Sequence, residues 1–531
     1  MDTTSQSDNL PLRLAWLALP YLLFVALTWF EIASILTLNG GKFTYAIDDP
    51  YIHLALAGQI AHGNYGINAG EPAAPSSSAL WPFLLVPFAQ APFFDLVPIA
   101  YNLIIALATI YVYTQIAWNI IPDAPPTPAL AQKVAIITLP LVLATNLVGL
   151  AFTGMEHSLQ VFLCAVIVLG MIQVLRGRAT PAWLVVALIA APLVRYEDLA
   201  VTLPMLAVLL LCRRWKPALL ALGGTAATLG AFSLFLATRG LGWLPTSVFA
   251  KVSTVNGRPT NNFILDHIRF NLEAPQARVL VGYMLALILL AAIRPRASRI
   301  ERVVGLLMAA AGLVHLSAGQ FGWMGRYEVY MITATLLWVL YLGRHLLDGL
   351  FRRAGTIATL ALLLGGSILA GQPYYGQLFQ TPNAAANIYE QQYQMHRFAV
   401  DYLKAPVAVN DLGWVAYHNP NYVLDLWGLA SPQALEARTR SAPDRVDWME
   451  RMVSQYHVRL VMIYTLPNWF PNQPASWTPV ARLYLGHPQV SAAGDMVTFF
   501  VPDPGAVEGV RALLRDFAPT LPPGVKLALL P

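Results

Sequence analysis

Two aspartates stand side by side in the run Tyr45-Ala-Ile-Asp48-Asp49-Pro50-Tyr51-Ile52-His53, shortly after the first long apolar stretch of the chain. Neighbouring carboxylates repel, so at least one should titrate outside its ordinary range. Asp-Asp-Pro is also good helix-start chemistry, and the residues alone leave both readings open. Glu156-His157 interrupts two further apolar runs. With Asp48, Asp49 and His53 it could hold a divalent cation (Mg, Mn or Ca), the metal candidates being Asp49, Glu156 and His157. A histidine at a helix start is more often structural. Arg195 with Glu197, and Arg326 with Glu328, set ions between short apolar runs. A charge placed deep there costs about 2.5–3.5 kcal/mol on insertion scales. Snorkelling accounts for most long basic side chains at a membrane edge, Lys251 and Arg258 among them. The two Arg-Glu sites fit that explanation less well.

The elements that must position these residues are membrane helices. The 531 residues are 57% hydrophobic and 11% charged, with a mean hydropathy of +0.55, against about 25% charge in a soluble globular chain. The apolar residues come in long unbroken runs, which a soluble core does not need. No basic stripe accompanies the net charge of +5, so a nucleic-acid partner is not expected. Cys164 and Cys212 lie inside apolar runs and read as packed hydrophobes. The opening apolar run, about Leu12 to Leu38, is too long for a cleaved leader and reads as a retained signal anchor.

Runs able to cross a bilayer fall near 12–37, 96–120, 134–152, 157–175, 215–238, 277–293, 302–318, 327–343 and 354–371, with a shorter pair at 181–194 and 197–212. That makes about eleven spans. Basic clusters at Arg176/Arg178, Arg213/Arg214/Lys216, Arg294/Arg296/Arg299/Arg302 and Arg344/Arg352/Arg353 assign one face to the cytoplasm. The segments 195–198, 239–276 and 319–326, and everything after about residue 372, then face outward. Parity requires that 79–94, with Pro82, Pro87 and Pro92, stay at the membrane edge instead of crossing. The expected layout is a polytopic α-helical membrane domain over 1–372, with a first external loop at 38–95. A soluble α/β domain over 373–531 follows on the outer, periplasmic side. The N-terminus is cytoplasmic, and the host is a bacterial inner (plasma) membrane. Leu54, Ala55, Ala57, Ile60 and Ala61 read as an amphipathic stretch lying along the interface. Asn387–Leu403 reads as an amphipathic helix, and 407–409, 460–464 and 496–501 as short strands. Asp411 and Asp425 fall at strand ends, where turn geometry explains them more readily than acceptor binding. Tyr374, Tyr375, Trp414 and Trp427 could stack on sugars or simply fill cores and interfacial belts. Glu31, late in the first span, reads as a snorkelling or helix-packing residue.

Asp48-Asp-Pro-Tyr-Ile-His-x-Ala-x-Ala-x-x-Ile-x-x-Gly63, followed by Asn-x-Gly-Glu-Pro and a Ser-rich step into Leu-Trp, resembles the first external loop of GT-C superfamily glycosyltransferases. The branch it is most similar to includes mycobacterial arabinofuranosyltransferases and bacterial enzymes like protein mannosyltransferases. Gly154-Met-Glu156-His157, Arg195-Tyr-Glu197, Leu244-Pro-Thr-Ser-Val-Phe-Ala-Lys251, Gly325-Arg326-Tyr327, Val409-Asn-Asp411-Leu-Gly413 and Leu424-Asp425-Leu-Trp-Gly428 agree in order, so the resemblance covers most of the chain. It implies a polyprenyl-phosphate sugar donor and a glycan, lipid or protein acceptor at the outer membrane face. It implies a general base at the first loop, which maps onto Asp48 or Asp49, and an inverting single displacement. The donor and acceptor would meet Tyr51, His53, Glu156, His157, Arg195, Glu197, Lys251, Arg326 and Tyr327. The cations among these, with Arg258, would hold the lipid phosphate. Some members of the superfamily use a divalent cation and others do not.

The rivals are a transporter, whose ionisable groups should sit at midplane on broken helices within paired repeats, and a non-catalytic envelope-assembly protein. The carboxylates cluster at one face and the two halves do not match, which disfavours the first. A scaffold would tolerate loss of both aspartates, whereas a transferase would not.

Overall fold

The computed structural model describes residues 10–121, 127–246, 263–293, 298–441, 445–467 and 469–531. Every region expected to span is helical. Among the described residues six helices are long and apolar enough to cross a membrane singly: Leu10–Leu38, Phe94–Ile120, His157–Leu175, Trp215–Ala237, Pro275–Ile293 and Arg299–Ala318. Val329–Leu342 with Arg344–Leu369, bent by 63°, makes a seventh if the pair is one span. Pro128–Ala144 and Ala182–Val194 are apolar but shorter. The chain is a membrane protein on these grounds. The proline-rich stretch after Leu80 forms only the five-residue helix Trp81–Leu85 and single 3₁₀ turns, too short to cross.

The chain packs as two compact units. The first comprises residues 1–30, 99–230 and 261–379, the second residues 31–98, 231–260 and 380–531. In the first unit the helices are apolar on most sides, and their polar anchors lie at the ends. Ser298 caps Arg299–Ala318 by accepting from the Glu301 N–H (3.1 Å), while Glu301 accepts from the Ser298 N–H (2.9 Å). This reciprocal box satisfies two otherwise orphaned donors. Glu301 also takes Arg344 Nη2 at 2.6 Å, which joins the starts of two helices.

In the second unit six strands form one mixed sheet: β1 (Val407–Val409), β2 (Val423–Asp425), β3 (Leu460–Ile463), β4 (Thr478–Tyr484), β5 (Met496–Val501) and β6 (Lys526–Leu529). Their order is β2-β1-β3-β5-β4-β6. β2, β1 and β3 run parallel, and the remaining neighbours pair antiparallel. The parallel strands are buried on both faces, which explains their unbroken apolar sequences. One face packs on Trp448, Met449, Met452 and Val453 of helix Asp447–Gln455. On the other, Phe499 meets Phe398 (6.0 Å between centroids), which in turn meets Phe517 of helix Val507–Phe517 at 5.3 Å. The expected strands at 407–409, 460–464 and 496–501 are present. The helix expected over 387–403 arrives as the end of Arg344–Glu390, then Gln392–Arg397, then a π-turn to Leu403.

Candidate functional site

The helix that follows the paired acids runs from Asp49 to Ala61, with Pro50 in its first turn. Pro50 suits that turn, because the N–H it lacks would have no intrahelical partner there. The helix does not lie along an interface with one wet face. Residues from Pro50 to Ala57 are buried all round, because the second unit packs on every side of them.

Asp48 precedes this helix, yet its carboxylate does not cap it. Oδ2 accepts from the Gly413 N–H at 2.7 Å and Oδ1 from the Trp414 N–H at 2.9 Å. A Cβ at Gly413 would lie 2.2 Å from the Asp48 carbonyl oxygen and 2.6 Å from its Cγ and Oδ2, so the clamp needs glycine there. Burial pushes the Asp48 carboxyl well above the usual range, and Asp411 and Asp49 push it the same way, while the two N–H bonds pull it down. Asp411 is half-buried. It accepts from Gln392 Nε2 at 3.0 Å and Tyr464 Oη at 3.2 Å. Burial and neighbouring Asp49 raise it to about 6, against the Gln392 and Tyr464 bonds. Asp49 is half-buried and close enough to raise both.

Aromatic rings surround this acid cluster. Tyr51 is buried, its ring 4.1 Å from Trp414 and its hydroxyl accepting from the Tyr45 N–H at 3.2 Å. Trp414 also meets Tyr393 at 4.9 Å, Tyr417 at 5.7 Å and His396 at 5.7 Å. His53 is buried with Nδ1 3.3 Å from Ser76 Oγ, a position inside the loop's own packing. The Asn-x-Gly-Glu motif pins the loop to the sheet edge. Asn68 accepts from the Val423 N–H (2.9 Å) and donates to its carbonyl (3.0 Å), and Tyr422 Oη donates to Glu71 at 2.7 Å. These bonds cover part of an edge strand that would otherwise offer unpaired backbone.

The first unit holds a second charged centre. Arg195, buried, donates from Nη1 to Glu156 at 3.1 Å and from Nη2 to Glu197 at 2.6 Å. The Glu197 carbonyl accepts from Tyr330 Oη at 3.2 Å, and that hydroxyl meets His315 Nδ1 at 3.0 Å. Arg326 is buried with Cζ 4.8 Å over the Tyr327 ring, and Nη2 donates to the Tyr327 hydroxyl at 2.9 Å. His157 is buried, its ring 6.4 Å from that of Tyr327. Residues Gly322, Trp323, Met324 and Gly325 all take positive φ (89°, 49°, 63° and 65°), a left-handed turn that is unfavourable for Trp and Met. Glu328 holds its start by accepting from the Gly322 N–H at 2.9 Å.

Of the residues singled out in the sequence, Asp48, Asp49, Tyr51 and His53 thus lie in the second unit. Glu156, His157, Arg195, Glu197, Arg326 and Tyr327 lie in the first. Lys251 and Arg258 fall outside the described residues. Among the described residues no group of three or more His, Cys, Asp and Glu side chains is placed to hold a metal ion. Both Asp48 oxygens are engaged by backbone N–H groups. Asp425 accepts from the N–H groups of Trp427, Gly428 and Ala430, the turn role expected of it. Tyr374 donates to Glu328 and Tyr375 to the Ser367 carbonyl, and Trp427 lies under Arg438 at 3.9 Å. Glu31 is buried in helix packing. Sequence reasoning missed the Gly413–Trp414 clamp and the Gln392/Tyr464 partners of Asp411. Gly413, two residues after an aspartate at a strand end, was the one signal that could have pointed to them.

Residues 386–500 match a family described as Domain of unknown function (DUF8728). No curated protein matches the chain by sequence. Among solved structures it is similar to the Archaeoglobus fulgidus oligosaccharyltransferase, both in complex with Zn and sulfate and in the apo form. Each comparison has 11% identity and a TM-score of 0.47, covering 86% and 89% of this chain and 72% and 75% of that one. It is also similar to arabinofuranosyltransferase AftD from Mycobacteria (14% identity, TM-score 0.44), covering 90% of this chain and 41% of that one. Similarity at this level assigns no residue its role.

Proposed function

We propose that the protein is a membrane glycosyltransferase that moves a sugar from a polyprenyl-phosphate donor to a glycan, lipid or protein acceptor at the periplasmic face. Asp49 would act as general base, and Asp48 as a positioning residue. The observation that carries this reading is the unequal environment of the two acids. Asp48 spends both oxygens on Gly413 and Trp414, whereas half-buried Asp49 stands beside the carboxylates of Asp48 and Asp411. A carboxylate with acidic neighbours gains from taking up a proton, which is what attack by an acceptor hydroxyl requires. The oxygen of that hydroxyl would bond to the anomeric carbon as the bond to the phosphate oxygen breaks. The proton would pass to Asp49 and the product would be inverted.

The test is to incubate purified protein with a panel of polyprenyl-phosphate sugars and follow release of the free lipid phosphate. Turnover that Asp49→Asn abolishes and Asp48→Asn only weakens is the expected result. A well-folded chain inactive on every donor would return the protein to the assembly or transport readings.

A further inference from the structure

Lys42 lies just beyond Leu38, the last residue of a 29-residue apolar helix, after a turn in which Gly40 and Gly41 take positive φ (60° and 91°). A helix of that length covers the hydrocarbon layer, so the lysine stands at headgroup depth, where phosphates of lipids lie. Its Nζ is 4.7 Å from the Tyr393 ring centre and 5.5 Å from that of Trp414. Among the described residues no carboxylate lies within ion-pair distance of it. The rings favour the cation while leaving its charge unneutralised. Trp414 connects the two charges: its ring faces Lys42, and its N–H is the one Asp48 holds at 2.9 Å.

We infer that Lys42 is the cation that binds the phosphate of the donor and takes up the charge that develops on it as the sugar leaves. The inference rests on the transferase reading. When the bond from the anomeric carbon to oxygen breaks, its electron pair stays on the phosphate. A diester with one negative charge becomes a monoester with up to two. An ammonium beside it therefore interacts more strongly in the transition state than in the ground state, and its loss lowers kcat as well as raising KM.

The experiment uses the full chain in discs of neutral lipid, with retained ligand read by native mass spectrometry and turnover read separately. Lys42→Met keeps the aliphatic body and Lys42→Arg keeps the charge; melting confirms that both fold. Wild type should retain polyprenyl phosphate, and Lys42→Met should retain at least about tenfold less and lose about 10²-fold in kcat, with partial recovery in Lys42→Arg. Competition by inorganic phosphate would assign the affinity to the phosphate group alone, and its absence to phosphate delivered on a lipid; either supports the inference. Equal displacement by phosphatidylglycerol would reduce the site to a general anionic-lipid contact and overturn it. Equal retention and turnover by Lys42→Met would overturn the Lys42 assignment alone. A wild-type chain that retains no polyprenyl phosphate would overturn it together with the transferase reading.

Discussion

In the first unit a buried arginine lies between two glutamates, so its charge is answered by side chains of opposite sign. In the second unit a buried aspartate is held by two backbone N–H groups and stands among other carboxylates. In the first arrangement one cation serves two carboxylates, and removing it takes the counter-charge from buried Glu156 in a medium that cannot solvate it. The second is not neutralised by its own acids, and burial, with repulsion added to it, keeps the proton affinity of Asp48 and Asp411 high. The contrast separates a buried charge answered by side chains of opposite sign from one held by backbone N–H groups among charges of its own sign.

The comparison can be broken most forcefully at Asp49. Asn at that position should lower turnover by about 10²–10⁴-fold while melting stays near wild type; a catalytically normal Asp49→Asn would remove the distinction. Arg195→Met should act through stability, losing about 3–5 kcal/mol because buried Glu156 loses its counter-charge. A thermal melt in detergent reads it, and adding Glu156→Gln should recover much of the loss. Gly413→Ala should lower stability by about 1–3 kcal/mol through overpacking against Asp48, and should reduce turnover by displacing Trp414.

The smallest effect is on pH. Asp411 is raised to about 6, so its protonated form favours the folded state. That contribution is fully present below the ordinary aspartate value of about 3.9 and is lost as pH rises through about 6. Melting temperature followed from pH 4 to 7 should fall more in wild type than in Asp411→Asn. Equal slopes would place the protonation elsewhere.

The helical regions, the short strands and the membrane class were legible in the sequence because each is a local property. A run of apolar residues must leave water wherever it sits, and the unbroken triplet Val407-Ala408-Val409 reads as a strand with both faces covered, as it proves to be. Asp48-Asp49-Pro50 was likewise legible as both a helix start and a chemical pair, and the helix does begin there. What the residues alone left level was the division of labour between the two acids. That division depends on Gly413 and Trp414, which follow Asp48 by several hundred positions and meet it only through packing. The same long-range contact brings Asp411 near enough to shift the Asp48 proton. Hydrophobic pattern acts residue by residue, so the chain alone determined what is buried. Electrostatic environment sums over neighbours in space, so only the tertiary structure decided which of the two acids is locked onto the backbone.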